Sequence, residues 1–302
     1  MKSWILFSVF LFSSSILQAS SDPLLDFLLK DSGLVGSQVG ALPVQSTSMP
    51  DPKSGQEFVQ MQVSHPVLGA IKFLLRGPQG FRSSGKQFKL LIVAAGIRSG
   101  QETVRLLSAR EDWIVAGFEY PESIGSISAD PSKIARFIRF SSGHLALMNL
   151  YLSQQSWVQK EKMGIVGISL GGLFLPSALR LSQALGVSIP QVIFGYTGAH
   201  IGPVIKHHLP KEVPDFLRGP IADAVVNLTA VYDPRHHLPH LKARSLAIRA
   251  SAEEVFPQES WSVLENLLPP PKSLVIIEGP HIHEGQFLMI QQTEQAILNW
   301  LL

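Results

Sequence analysis

The chain has 302 residues, 45% of them hydrophobic and 16% charged, a balance that supports a large buried core and excludes a disordered chain. Its 25 Lys and Arg against 23 Asp and Glu leave a formal charge of +2 with no basic run, so nucleic acid is not expected as a partner. The absence of cysteine removes disulfides, thiol nucleophiles and thiolate metal sites together.

Residues 1–19 read as a secretory signal peptide: Lys2, an apolar stretch from Trp4 to Phe12, then small residues at Ala19 and Ser20. The apolar run is short for a bilayer span, so the chain is expected to be exported, periplasmic or secreted, with no stable membrane insertion once the signal is removed. Residues 20–57 form an N-terminal leader rich in Ser, Pro and Gly, expected to pack loosely. The rest, 58–302, reads as one domain. Phe58–Ser64 and Gly69–Gly77 flank His65-Pro66 and predict a hairpin. Phe88–Gly96 and Asp112–Tyr120 are continuous apolar runs, the pattern of strands buried on both faces. Between them "GQETVRLLSAR" predicts a helix.

Ser132–Gln159 carries helical periodicity, with Ser141-Ser142-Gly143 as its weak point. Lys162–Ser169 reads as a strand and Leu170–Gly186 as a helix stopped by Gly186. Strands are expected at Pro190–Gly198, Arg244–Ser251 and Lys272–Gly279, and an amphipathic helix at Gln291–Leu302. The segment 202–241, with Pro203, Pro210, Pro214 and Pro220, reads as an insertion covering the end of the sheet. Alternating strands and helices imply an α/β architecture: an open, mostly parallel sheet of about eight strands with helices on both faces.

Gly167-Ile168-Ser169-Leu170-Gly171 fits G-x-S-x-G where a buried strand runs directly into a helix. That context is a nucleophile elbow: a sharp turn lifts the serine hydroxyl clear of the sheet, and flanking glycines avoid collisions with neighbouring backbone. The helix points its positive end at the reacting centre. Serine alone is a poor nucleophile and needs a base, and the base needs an orienting acid. Both types occur downstream, in the order acid then histidine, in "IRASAEEVFP" (Ile248–Pro257) and "IIEGPHIHEGQ" (Ile276–Gln286).

From about Phe58 onward the sequence resembles the serine hydrolases of the α/β-hydrolase fold. "GIVGISLGG" after "LYLSQQSWVQKEKM" is similar to the esterase and dienelactone-hydrolase-like branch, and to the catalytic domain of prolyl oligopeptidases. "YDPRHHLPHLKARSLAIRASAEEVFP" resembles that branch's Asp-Pro, helix, strand, acid loop and closing proline. The resemblance implies acyl transfer to Ser169, no cofactor, and a small-molecule ester or peptide substrate. It implies an acid four residues before Pro257, at Glu253, where aspartate is commoner; Glu254 is the rival. The base is His281 or His283, one residue before or after the family's Gly-x-x-His spacing, with His281 preferred. Glu278 is read as ending its strand.

The oxyanion would be held by the backbone amides of Leu170 and Ile97. Many relatives have His-Gly before the second amide, where this chain has Ala95-Gly96. These departures leave an alternative, an inactive binding protein on the same fold. His200, His207, His208, His236, His237 and His240 read as surface residues rather than metal ligands, and Arg98, Arg136 and Arg139 as a solvated face. Asn227-Leu228-Thr229 is a glycosylation sequon only in a host that glycosylates exported proteins.

Overall fold

The computed structural model describes residues 22–36, 42–51, 54–96, 100–108, 110–121, 131–209, 212–283 and 285–301. The expected signal peptide, Ile97 and Arg98 lie outside them. In chain order the elements are α1 (Pro23–Asp31), β1 (Val44–Asp51), β2 (Gln56–His65), β3 (Gly69–Pro78), β4 (Phe88–Ala94), α2 (Thr103–Leu106), β5 (Trp113–Phe118), α3 (Pro131–Ser153) and β6 (Val158–Ile168). They continue with α4 (Leu170–Ala184), β7 (Gln191–Gly195), α5 (Ile201–His208), α6 (Asp215–Thr229), α7 (Pro234–His237), β8 (Arg244–Ala250), α8 (Gln258–Leu267), β9 (Lys272–Ile277) and α9 (Phe287–Leu301).

One sheet runs in the order β1-β2-β3-β5-β4-β6-β7-β8-β9. The first three strands are antiparallel to their neighbours, and β5 through β9 are parallel. Side chains alternate faces along a strand. Leu90, Ile92 and Ala94 of β4 therefore enter the larger core under α3 and α4, while Leu91, Val93 and Ala95 enter a second core under α9. β6 splits the same way, with Ile165 on the first face and Val166 on the second. Two dry faces explain why these strands are continuously apolar in sequence.

Among the described residues the sheet has nine strands, where about eight were expected. The additional one, β1, pairs antiparallel with β2 from Val44 opposite Val63 to Asp51 opposite Gln56. Its VQSTSMPD sequence is almost wholly exposed, a polar edge that discourages further strand addition and gives no apolar alternation to read. The expected loose packing of the leader is also corrected. Asp22 caps α1 by accepting from the Leu24 and Leu25 amides at 3.0 and 3.2 Å, with Pro23 in the first turn. Leu28 and Leu34 are fully buried, a contribution of about 1.5–3 kcal/mol each. Arg139 pairs with Asp31 at 2.9 Å and Arg180 with Asp22, so Arg139 clamps α1 rather than lying on a solvated face.

α3 runs unbroken through Ser141-Ser142-Gly143. The small residues permit close approach: Ser142 Oγ meets Ser177 Oγ of α4 at 2.7 Å, and a Cβ on Gly143 would sit 3.1 Å from Leu68 Cδ2. The helix expected after β4 is shorter than predicted, a single 3-10 turn, Gly100–Glu102, followed by α2 ending at Leu106. β6 begins at Val158, four residues earlier than expected. Among the described residues no helix is long and apolar enough to cross a membrane.

Two buried imidazoles are expected to make the fold acid-sensitive. Burial pushes the His144 ring down to about 4, against the pull of its 2.8 Å bond to the Leu68 carbonyl, and His65 nearby lowers it further. Burial likewise lowers His237, bonded to the Val231 carbonyl at 2.8 Å, to about 4. A histidine whose folded value is depressed gives its full stability above the unfolded value near 6.5. It loses that stability as pH falls from there toward 4, because the unfolded chain takes up protons first. Shifts of this size correspond to roughly 3 kcal/mol each. Denaturant midpoints are expected to fall steadily from pH 7 to 4, and His144→Leu to flatten the fall. Identical pH dependence in His144→Leu and wild type contradicts this.

Candidate active site

Ser169 stands between β6 and α4 at φ 53° and ψ −119°. A non-glycine residue there carries strain of about 1–3 kcal/mol, so its surroundings must impose it. They do so from both sides. The Ser169 amide donates to the Gly195 carbonyl of β7 at 2.8 Å, and the Ser169 carbonyl accepts from the Gly172 amide at 3.0 Å. The glycines are steric requirements: a Cβ on Gly171 would lie 1.9 Å from the Ala94 carbonyl oxygen, and one on Gly172 2.4 Å from Thr197 Cγ2. α4 can therefore start only by pressing its bare backbone on β4 and on the loop after β7.

The next two participants come from beyond β8 and β9. Pairing between these strands ends at Ala250 opposite Ile277 and continues into the loops. The Ser251 amide donates to Ile277 O at 2.9 Å, the Ala252 amide to Gly279 O at 2.9 Å, and the Gly279 amide to Ser251 Oγ at 3.1 Å. Gly279 takes φ 129°, a conformation open to glycine, and so turns the chain toward β8's loop. Glu278 lies just past the end of β9, as expected.

The result is a connected row of side chains. His281 Nδ1 lies 2.7 Å from Glu253 Oε1, and His281 Nε2 lies 3.0 Å from Ser169 Oγ. Oε1 also accepts from the Val255 and Phe256 amides at 3.0 and 3.1 Å. A carboxylate can only accept, so Nδ1 carries the ring proton, Nε2 is left as an acceptor, and the Ser169 hydroxyl donates to it. The His281 and Glu253 side chains are 4% and 5% exposed, so this hydrogen-bonded pair is shielded from solvent. Phe256 lies tilted against the His281 ring at 5.9 Å and Tyr196 meets it edge-on at 5.8 Å.

Of the residues expected from sequence, Ser169, His281 and Glu253 thus come together. Leu170 is the first residue of α4, where the amide has no partner within the helix and stands beside Ser169. Ile97 lies outside the described residues. The strand leading to it is anchored by the Tyr120 hydroxyl, which donates to the Ala95 carbonyl. The rivals are accounted for differently. Glu254 Oε2 accepts from the His281 backbone amide at 2.8 Å, and its Oε1 lies 3.3 Å from His283 Nε2. Burial raises the Glu254 pKa, but the His281 amide, its own amide, the His283 ring and the electrostatic pull of His281 together hold it below the usual carboxylate range.

Several neighbours had no role in the sequence reading. Tyr196 has φ 50°, is fully buried, and bonds Thr293 of α9 through its hydroxyl at 2.7 Å. Its position between Gly195 and Gly198, at a strand end, was the available signal. His207 and His208 of α5 reach the Glu254 and Val255 carbonyls at 2.9 and 2.8 Å. Ile201 and Val204 of the same helix pack with Leu173 and Phe256. The segment expected to cover the sheet end is thus fastened to the loop that holds Glu253. Among the described residues there is no group of three or more His, Asp or Glu able to hold a metal.

No family model matches the chain, and no curated protein matches it by sequence. Solved structures do. An acetyl xylan esterase from Paenibacillus sp. R4 superposes with TM-score 0.70 at 15% identity, over 94% of this chain and 95% of that one. Acetyl xylan esterase 1 from Thermoanaerobacterium sp. JW/SL YS485 gives 0.67 at 13%, over 91% and 93%. A cold-adapted esterase from an Arctic intertidal metagenomic library gives 0.55 at 11%, over 85% and 98%. At such identities the likeness is one of fold, and the chain has the α/β-hydrolase fold.

Proposed function

We propose that this chain is an exported serine hydrolase that cleaves carboxylic esters through an acyl-enzyme on Ser169. The observation that carries the reading is the hydrogen-bonded row from Ser169 Oγ through His281 to Glu253 Oε1, assembled from three separate loops. In the reaction Ser169 Oγ attacks the ester carbonyl as His281 Nε2 takes its proton. The new imidazolium is stabilised by Glu253. The oxyanion is held by the Leu170 amide, with Ile97 as the second donor. His281 then returns the proton to the leaving alcohol, and water, activated by the same imidazole, releases the acid. The elbow strain keeps the hydroxyl fixed for attack. The named esterases of like fold favour esters over peptide amides. Export rests on the Lys2, apolar-core and Ala19 pattern.

A panel of p-nitrophenyl esters of rising acyl length, run beside a peptide p-nitroanilide, tests the class of substrate. Turnover of at least one ester, exceeding that of the anilide, is expected. Folded protein that turns over no ester contradicts the proposal and favours the inactive binding protein. Faster cleavage of the anilide moves the assignment to a peptidase.

A further inference from the structure

Two consecutive glutamates reach the same histidine by different routes. Glu253 takes the ring, accepting from His281 Nδ1 at 2.7 Å. Glu254 takes the main chain, accepting from the His281 amide at 2.8 Å. Neither residue lies in a regular strand, and the carboxylate committed to the imidazole leaves its neighbour directed elsewhere. Here that neighbour is directed onto the backbone of the loop that carries the imidazole.

The contact occupies a defined place in the loop pairing. Beyond β8 and β9 the rungs are Ser251 to Ile277, Ala252 to Gly279 and Gly279 to Ser251. The next amide, at position 280, is absent because Pro280 has none. The chain from Gly279 onward would therefore leave the β8 loop at the residue that must present the imidazole. Glu254 Oε2 supplies the missing rung at His281. Its other oxygen is held by His283 Nε2 at 3.3 Å, and His283 is itself fixed by its amide donating to Gln286 Oε1 at 2.7 Å. On the other side the Glu254 carbonyl accepts from His207 of α5.

We infer that Glu254 is a positioning residue for the reaction: its carboxylate fixes the His281 backbone, and so sets the distance from His281 Nε2 to Ser169 Oγ. The inference rests on the assignment of Ser169, His281 and Glu253 given above. Glu254 is bonded to the His281 main chain and to the His283 ring, not to Ser169 Oγ or the His281 ring nitrogens. Its contribution is to kcat, because it holds the base in register with the nucleophile rather than the ester in its site. What it must supply is an acceptor oxygen, not a charge. A glutamine retains that oxygen, and its NH2 can donate to a lone pair on the His283 ring.

Kinetics on the best ester of the panel, with Glu254→Ala, Glu254→Gln and Glu253→Ala compared with wild type, test this. Glu254 is about half exposed, 50%, so truncating it is not expected to prevent folding. Glu254→Ala is expected to lower kcat about 10- to 100-fold with KM within about twofold. Glu254→Gln is expected to recover kcat to within about threefold of wild type, as an acceptor-only role requires. The inference is overturned if Glu254→Ala retains wild-type kcat, if its loss falls on KM, or if Glu254→Gln is as impaired as Glu254→Ala. Failure of the underlying assignment has a separate signature: Glu253→Ala would keep full activity.

Discussion

Replacing Ser169 with alanine is expected to lower ester turnover by about 10⁴- to 10⁶-fold in kcat while leaving the fold in place. Among the described residues the side chain's only hydrogen bond is the 3.0 Å bond to His281 Nε2, so its loss removes the nucleophile without exposing the core. The positive φ of 53° is held by the Gly195 and Gly172 contacts of its backbone, which alanine keeps. Thermal midpoints within a few degrees of wild type are therefore expected, and they separate lost chemistry from lost structure. Residual rate would come from oriented binding beside the Leu170 amide. Turnover of Ser169→Ala within tenfold of wild type contradicts a covalent role for this serine.

Glu253→Ala is expected to lower kcat by about 10³- to 10⁴-fold. Three donors converge on the single oxygen Oε1: His281 Nδ1, the Val255 amide and the Phe256 amide. Without it, nothing fixes the proton on Nδ1, and the tautomer with Nε2 as acceptor is no longer enforced. The imidazolium that forms during attack also loses its counter-charge in a site almost closed to solvent. Glu253→Gln is expected to fall between Glu253→Ala and wild type. A glutamine oxygen can still take all three donors, but the charge is lost and its NH2 replaces Oε2, which is buried without a partner among the described residues. Rate measurements across the three proteins check the order. If Glu254→Ala is the more damaging of the two alanine variants, the acid has been assigned to the wrong glutamate.

The centre of the sheet was legible because both of its faces are dry. Continuous apolar runs at β4, β5 and β6 leave few other readings, and the glycine-serine turn after β6 lies where a parallel strand must hand over to a helix. The edges were less legible. β1 contains almost no apolar alternation, because pairing with β2 rather than burial makes it a strand. α1 reads as leader until Asp22 capping, Arg180 and Arg139 are seen to hold it down.

The candidate site divides in the same way. The types of residue and their order were readable, since a serine after a buried strand needs an acid and a base further along. Which glutamate faces the ring was not, because adjacent glutamates in a loop outside regular structure differ only in the direction they take. The histidine spacing was ambiguous for a related reason. Pro280 removes an amide from the loop pairing, and the chain is gathered in again by Glu254 rather than by a backbone partner. Tyr196 and α5, which shield and fasten the His281 loop and the Glu253 loop, act through tertiary contacts with no signature of their own in the sequence.

Labelling with a fluorophosphonate probe tests the central claim most directly, since the probe reacts only with a serine already activated by its base. Folded wild-type protein is expected to take up one equivalent, mapped by mass spectrometry to the peptide containing Ser169, and Ser169→Ala none. Folded wild-type protein that stays unlabelled, or a label that persists in Ser169→Ala, would contradict it.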